Sequence, residues 1–168
     1  MNKKFKKISC IDIGSNAIKY RQYRLLPNNQ LELDTFKRIS LRLGSDAFSH
    51  GKMTSKTFVD FLAVLKKLKK HAKKKNADLI GIFATSAMRT FSNKERIIKN
   101  IKKELNLEIE ILSGKEEASL LKFFNFKEFK ASKCLLVDVG GGSTEIYLFD
   151  KNEEKLQSFN LGAVRILK

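Results

Sequence analysis

Tryptophan is absent from this sequence, proline occurs once, at Pro27, and cysteine and histidine occur only twice each. With so little proline and 31% charged residues, the composition is not that of a disordered chain. Cys10 and Cys134 both lie in apolar, strand-like runs and read as buried thiols in a reducing compartment. Sequence alone leaves a disulfide between them open. His50 and His71 have no metal-ligand spacing and stand among polar or lysine-rich neighbours, so both read as surface residues. No apolar run approaches the roughly 20 residues of a membrane span. The basic start, residues 1–7, runs straight into the strand-like Ile8–Asp12 rather than into a signal-type apolar segment. Export is therefore not expected, and a cytoplasmic setting is.

Acidic residues are also scarce. Against 34 Lys and Arg stand 18 Asp and Glu, a net charge of +16. Such a surface attracts any polyanion: nucleic acid, an anionic membrane or a phosphate chain. Much of the excess lies on one segment, at Lys66, Lys67, Lys69, Lys70, Lys73, Lys74 and Lys75. The 13 phenylalanines fall at core-like positions and are not interleaved with the lysines, so specific nucleic-acid binding is not expected. With 42% hydrophobic residues, the 168-residue chain can build one core, and no composition shift marks a boundary inside it.

Hydrophobic periodicity predicts strands over 7–13, 17–25 and 31–41, with Pro27-Asn28-Asn29 turning the last two into a hairpin. Residues 44–53 read as a polar loop. A helix is predicted over 55–75 from the stripe Phe58, Phe61, Leu62, Leu65 and Leu68, followed by a buried strand over 79–84. Ser92 and Glu95 suggest a capping box for a helix to about 104, and 107–112 alternates as a strand does. Ser113 and Glu116 make a second capping box, opening a helix to about 127 in which Leu120, Leu121 and Phe124 share a face. Strands follow over 134–137, 145–149 and 154–160. The sum is an α/β domain with a mixed sheet flanked by helices.

Two segments carry the chemistry. Asp12-Ile13-Gly14-Ser15-Asn16 and Asp138-Val139-Gly140-Gly141-Gly142-Ser143-Thr144-Glu145 each run from a strand through an aspartate into a glycine turn and a second strand. Glycine at a strand end lets backbone N–H groups approach an anion, and Ser15, Asn16, Ser143 and Thr144 add side-chain donors. One such loop reads as a tight hairpin; two with matching aspartates favour a phosphate cradle. Beside phosphate, Asp12 and Asp138 make sense if a divalent cation lies between them and its oxygens, and oxygen-only ligands suit magnesium; Glu145 begins a strand right after the second turn, where its side chain can face the loop. Alternatively the aspartates cap their own turns. Glu116 is accounted for by the capping box, which leaves Glu117 as the candidate general base; equally, Glu117 is a favourable charge in a helix first turn. Arg89, with Thr85 and Ser86, follows a buried strand and offers donors for phosphate oxygens.

Five segments together resemble the exopolyphosphatase / guanosine pentaphosphate phosphatase (Ppx/GppA) family. They are Asp12–Asn16, Ala84–Arg89, Ser113–Ala118, Asp138–Glu145 and Leu161–Arg165. The resemblance implies an RNase H-like fold of the actin, Hsp70 and sugar-kinase superfamily. It further implies magnesium-assisted release of terminal phosphate from inorganic polyphosphate or guanosine pentaphosphate. On that reading Glu117 is the catalytic base. Asp138 and Glu145 serve metal and phosphate. Gly14, Ser15 and Asn16 bind phosphate, as do Thr85, Ser86, Arg89 and the Gly140–Thr144 turn. The resemblance also implies a second RNase H-like domain, expected to begin where this chain stops; a chain lacking it is expected to expose its cleft face, with a homodimer as one consequence. Two other readings remain open: a polyphosphate-binding module without catalysis, and an ATP-dependent kinase of the same superfamily.

Overall fold

The computed structural model describes residues 5–124, 133–150 and 153–167. Strands β1 (Lys6–Ile13), β2 (Ala17–Leu25) and β3 (Leu31–Ser40) form an antiparallel meander. On its other edge β1 pairs in parallel with β4 (Ala77–Ala84), and β4 with the short β5 (Glu110–Ile111), giving a mixed sheet of order β3-β2-β1-β4-β5. A separate antiparallel sheet follows the order β6-β7-β8, from β6 (Lys133–Val139), β7 (Thr144–Asp150) and β8 (Glu153–Phe159). The hairpin β6-β7 thus repeats the hairpin β1-β2, each with its glycine turn at the same end. The first glycine turn lies on the large mixed sheet, as the mixed-sheet expectation has it, and the second on the small antiparallel sheet.

Helix α2 (Ser55–Lys74) starts where Thr54 accepts a hydrogen bond from the Thr57 amide at 3.2 Å. Its Phe61, Leu65, Leu68 and Ala72 are buried in one core with Ile11, Ile13, Ile18, Tyr20 and Ile82 from the large sheet. Helix α4 (Lys94–Leu105) adds Ile97, Ile101 and Leu105 to that core. Between β2 and β3, Asn28 accepts from the Gln30 amide and Asn29 takes a left-handed φ of 60°, which asparagine tolerates.

The structure corrects several expectations. The segment read as a polar loop forms α1 (Leu43–His50), with Leu43 and Ala47 buried one turn apart and Gly51 closing it at φ 64°. One short apolar step was too little signal against its polar neighbours. Ser92 does not cap α4: its amide donates to the Gly51 carbonyl, Asn93 occupies the cap, and the Asn93 amide bonds Met53 in both directions. The strand expected over 107–112 shrinks to two residues, although Leu107 and Ile109 are buried. After Ser113, α5 (Gly114–Ser119) ends early in a 3-10 turn over Leu120–Phe123, and Leu120 and Phe124 stay about half exposed. Residues 125–127, into which that helix was expected to run, lie outside the described residues. His71 is not a simple surface residue, since its ring meets Tyr20 edge-on at 5.4 Å. Cys10 and Cys134 are free thiols, half-buried on different sheets. Among the described residues no helix is long and apolar enough to cross a membrane.

Because Leu65 is fully buried at the centre of the α2 face, Leu65→Ala is expected to cost about 2–5 kcal/mol, measured as a shift of the urea midpoint at unchanged slope.

Candidate active site

Short α5 presents two adjacent glutamates to different surroundings. The Ser113 hydroxyl accepts from the Glu116 amide at 3.2 Å, and Glu116 Oε2 accepts from the Ser113 amide at 2.7 Å. That reciprocal cap holds Glu116 at the exposed surface, and the Ser113 amide keeps its carboxyl below the ordinary value. One residue further, about 100° around the helix, Glu117 turns inward and accepts a 2.8 Å hydrogen bond from Arg89 Nη1. Burial pushes the Glu117 carboxyl above its ordinary value and the Arg89 hydrogen bond pulls it back. The negative charges of Glu145 and Asp12 push it up again. Arg89 sits on α3 (Ser86–Thr90), directly after β4, and its Nη1 also donates to the Leu112 carbonyl at 2.7 Å. Fold and sequence thus bring Glu117, Arg89, Glu145 and Asp12 within electrostatic reach.

Asp138, Glu145 and Ser158 stand directly opposite one another across β6, β7 and β8, and so project from one face of the small sheet. Helix α5 packs on that face at β7 and β8; a Cβ on Gly114 would come within 2.7 Å of the Ser158 hydroxyl. Glu145 is therefore only 2% exposed and accepts from Ser158 at 2.7 Å, while Asp138, on the outer strand, remains exposed.

The two glycine turns pack tightly against one another. Gly140 spends its amide on the Ser143 carbonyl at 2.9 Å, and Gly14 spends its own on Ala17. A Cβ on Gly142 would lie 2.4 Å from the Phe48 ring, 2.5 Å from Ser86 Oγ and 2.8 Å from Ser15 Oγ. A Cβ on Gly162 would likewise lie 2.5–2.7 Å from the Gly141–Gly142 peptide. The absence of side chains here lets the second turn press against the first turn, α1 and α3. Ser15, Ser86, Ser143 and Thr144 are buried accordingly, and Thr144 donates to the Leu161 carbonyl. Asn16 is exposed and Thr85 half-exposed, so these two keep access to a ligand.

Arg165 ends the Leu161–Arg165 segment, and Phe48 lies in the stretch that reads as a polar loop. The structure makes them the clamp of the site. From α6 (Ala163–Ile166), Arg165 donates to the Gly142 carbonyl at 2.8 Å and to the Ser86 hydroxyl at 3.1 Å. Its guanidinium stacks over Phe48 at 4.2 Å. Burial, and then the positive charge of Arg89, weaken the hold of Arg165 on its proton, which marks two guanidiniums converging on one place.

Among the described residues no group of three or more His, Cys, Asp or Glu side chains is close enough to hold a metal ion. Asp12, Asp138 and Glu145 therefore form no protein cage. Asp12 is paired with Lys19 at 3.2 Å, because the two are cross-strand partners. Magnesium, however, is commonly bound by one or two carboxylates with phosphate oxygens and water. The opposed pair Asp138 and Glu145 meets that lesser requirement.

The sequence profile of the Ppx/GppA phosphatase family matches residues 32–168. The chain belongs to that family. It is 32% identical to the bifunctional 3-dehydroquinate synthase/phosphatase of Fusobacterium nucleatum, over 93% of this chain and 25% of that protein. It is 27% identical to exopolyphosphatase 1 of Mycobacterium tuberculosis, over 96% of this chain and 48% of that enzyme. The crystal structure of an exopolyphosphatase from Cytophaga hutchinsonii superposes with a TM-score of 0.83 at 28% identity, over 96% of this chain and 53% of that one. The chain spans about half the length of the exopolyphosphatases it matches. Its mixed α/β architecture is shared with the Cytophaga hutchinsonii exopolyphosphatase and with the Ppx/GppA family member of Aquifex aeolicus, which superposes with a TM-score of 0.77 at 22% identity.

In this Ppx/GppA chain Gly142→Ala drives a methyl into Phe48, Ser86 and Ser15. It is expected to cost about 1–3 kcal/mol in stability by chemical denaturation. Gly51→Ala, where a Cβ meets nothing within 4 Å but φ is 64°, separates that packing cost from backbone strain.

Proposed function

We propose that this chain carries the hydrolytic centre of a phosphatase acting on a terminal phosphoanhydride, in inorganic polyphosphate or guanosine pentaphosphate. The observation that supports it most is the partly buried Glu117 carboxyl bonded to Arg89, whose guanidinium lies within electrostatic reach of Arg165. A carboxylate whose pKa is raised is a better proton acceptor near neutral pH, and adjacent guanidiniums favour phosphoryl oxygens. Glu117 orients a water and takes its proton as the water oxygen bonds to the terminal phosphorus. The bond to the bridging oxygen then breaks, and the shortened phosphate chain leaves with the electron pair. Arg89 steadies Glu117 from one nitrogen, and its remaining N–H groups are of the kind that hold phosphoryl oxygens. Asn16 and Thr85 add donors at the rim. Asp138 and Glu145 would hold magnesium, which supplies charge neutralisation when bound. The Ppx/GppA family membership and the exopolyphosphatase relatives support this substrate class, and a cytoplasmic phosphate pool is the setting proposed for it.

Glu117→Gln is expected to lower phosphate release from polyphosphate by about 100- to 10,000-fold while polyphosphate binding, measured by calorimetry, stays within a few-fold. Undiminished release by the variant would remove Glu117 from this role. Polyphosphate binding by the unaltered chain with no release would instead make it a binding module.

The sign of the pH dependence follows from the same carboxyl. Glu117 acts when deprotonated, so kcat/KM falls as pH drops through its pKa, and burial places that acid limb above the ordinary 4.5. Arg89→Met removes the influence that lowers the pKa, so the limb is expected to move to still higher pH as overall activity falls. A limb at or below 4.5, or one unmoved by the substitution, counts against the assignment.

A further inference from the structure

Glu145 is a buried carboxylate without a cationic partner. It is 2% exposed and forms no ion pair among the described residues. Its hydrogen bond comes from a neutral hydroxyl: Ser158 Oγ donates to Glu145 Oε1 at 2.7 Å. The other oxygen, Oε2, accepts none from the described residues, yet it is not sealed from solvent. Buried charges are ordinarily paired or coordinate a metal, because desolvation is costly. One accessible oxygen on an otherwise enclosed carboxylate is what a small cation requires.

What holds that oxygen in place is Ser158. It stands on β8 directly across from Glu145, at the end of the row begun by Asp138. Two neighbours confine it. Glu145 takes its single hydroxyl proton. From above, the backbone of Gly114, the first residue of α5, lies so close that a Cβ there would come within 2.7 Å of Ser158 Oγ and 2.9 Å of Ser158 Cβ. Three residues along the same short helix is Glu117, on which the charge of Glu145 acts. Ser158 thus touches both the carboxylate suited to a metal and the helix that carries the candidate base. From the unpaired buried carboxylate, its single donor and the glycine contact over that donor, we infer that Ser158 is a positioning residue of the centre. Its hydroxyl holds Glu145 Oε1 and leaves Oε2 as the oxygen for a divalent cation. Its contact with Gly114 keeps that carboxyl in register with Glu117. Ser158 acts only through Glu145 and α5. This inference rests on the magnesium-assisted reading proposed above.

The test is binding of Mn²⁺, as a probe for magnesium, to the full chain without substrate, followed by the electron paramagnetic resonance of the free ion. The magnesium dependence of phosphate release from polyphosphate is measured beside it. Ser158→Ala is expected to weaken Mn²⁺ binding, and to raise the magnesium concentration for half-maximal release, by about 10- to 100-fold, the usual effect of losing a group that orients a metal ligand. The KM for polyphosphate at saturating magnesium is expected to stay where it was. Ser158→Thr restores the hydroxyl on a strand, where β-branched residues are favoured, and is expected to bind Mn²⁺ as the unaltered chain does. Ser158→Val has nearly the outline of threonine without the hydroxyl and is expected to behave as alanine does. That pair keeps the comparison intact even where alanine loosens the strand. Mn²⁺ binding unchanged in Ser158→Ala and Ser158→Val, or weakened equally in Ser158→Thr, overturns the positioning role and leaves the magnesium reading standing. Mn²⁺ binding absent from the unaltered chain, or unchanged in Glu145→Gln, overturns the magnesium reading and this inference with it.

Discussion

The site depends on one close approach. The second glycine turn must come within side-chain-free distance of Ser15, Ser86 and Phe48, and only glycine at position 142 permits it. That contact ties the large sheet to the small one, and Arg165 fastens it by bonding the Gly142 carbonyl, Ser86 and the Phe48 face together. Every other functional position follows from it. With the turns joined, the face of the small sheet that carries Glu145 meets α5, and α5 delivers Glu117 to Arg89.

The contrast between Glu116 and Glu117 shows how little covalent difference a site needs. Both are glutamates in the first turn of one short helix. A reciprocal cap lowers the carboxyl pKa of Glu116 at the surface, while burial and neighbouring carboxylates raise that of Glu117. The rotation of one residue around the helix separates a carboxylate that caps the helix from one held inward against Arg89. A partly buried ion pair of this kind is a poor stabiliser, because desolvation offsets attraction. Its value lies in holding a carboxylate of raised pKa at a defined place.

Much of the fold was legible because periodicity over long segments is a strong signal. The strands that became β1, β2 and β3, helix α2 and the Ser113 cap lie within a residue or two of where the pattern put them. The misreadings cluster in short elements. Helix α1 has one buried step between Leu43 and Ala47, and β5 has two residues. In such segments tertiary packing, not local pattern, decides the conformation. Ser92 illustrates the same point, since a capping signal lost to a hydrogen bond with Gly51 that only the folded chain supplies.

The sequence by itself determined which residue types would gather: two aspartate–glycine turns, a glutamate released from capping duty and an arginine after a buried strand. It also determined that Glu116 would serve the helix, because that bond spans three residues and needs no tertiary partner. What the tertiary structure decided was the use of those residues. It pressed the glycine triplet against the first turn, paired Asp12 with Lys19, left Asp138 at an exposed edge and made Arg165 and Phe48 the clamp. The physical reason is range. Caps and turns are set by neighbours along the chain, whereas exposure, charge pairing and close approach are set by segments as far apart as Ser86 and Arg165, which meet only when the sheets do.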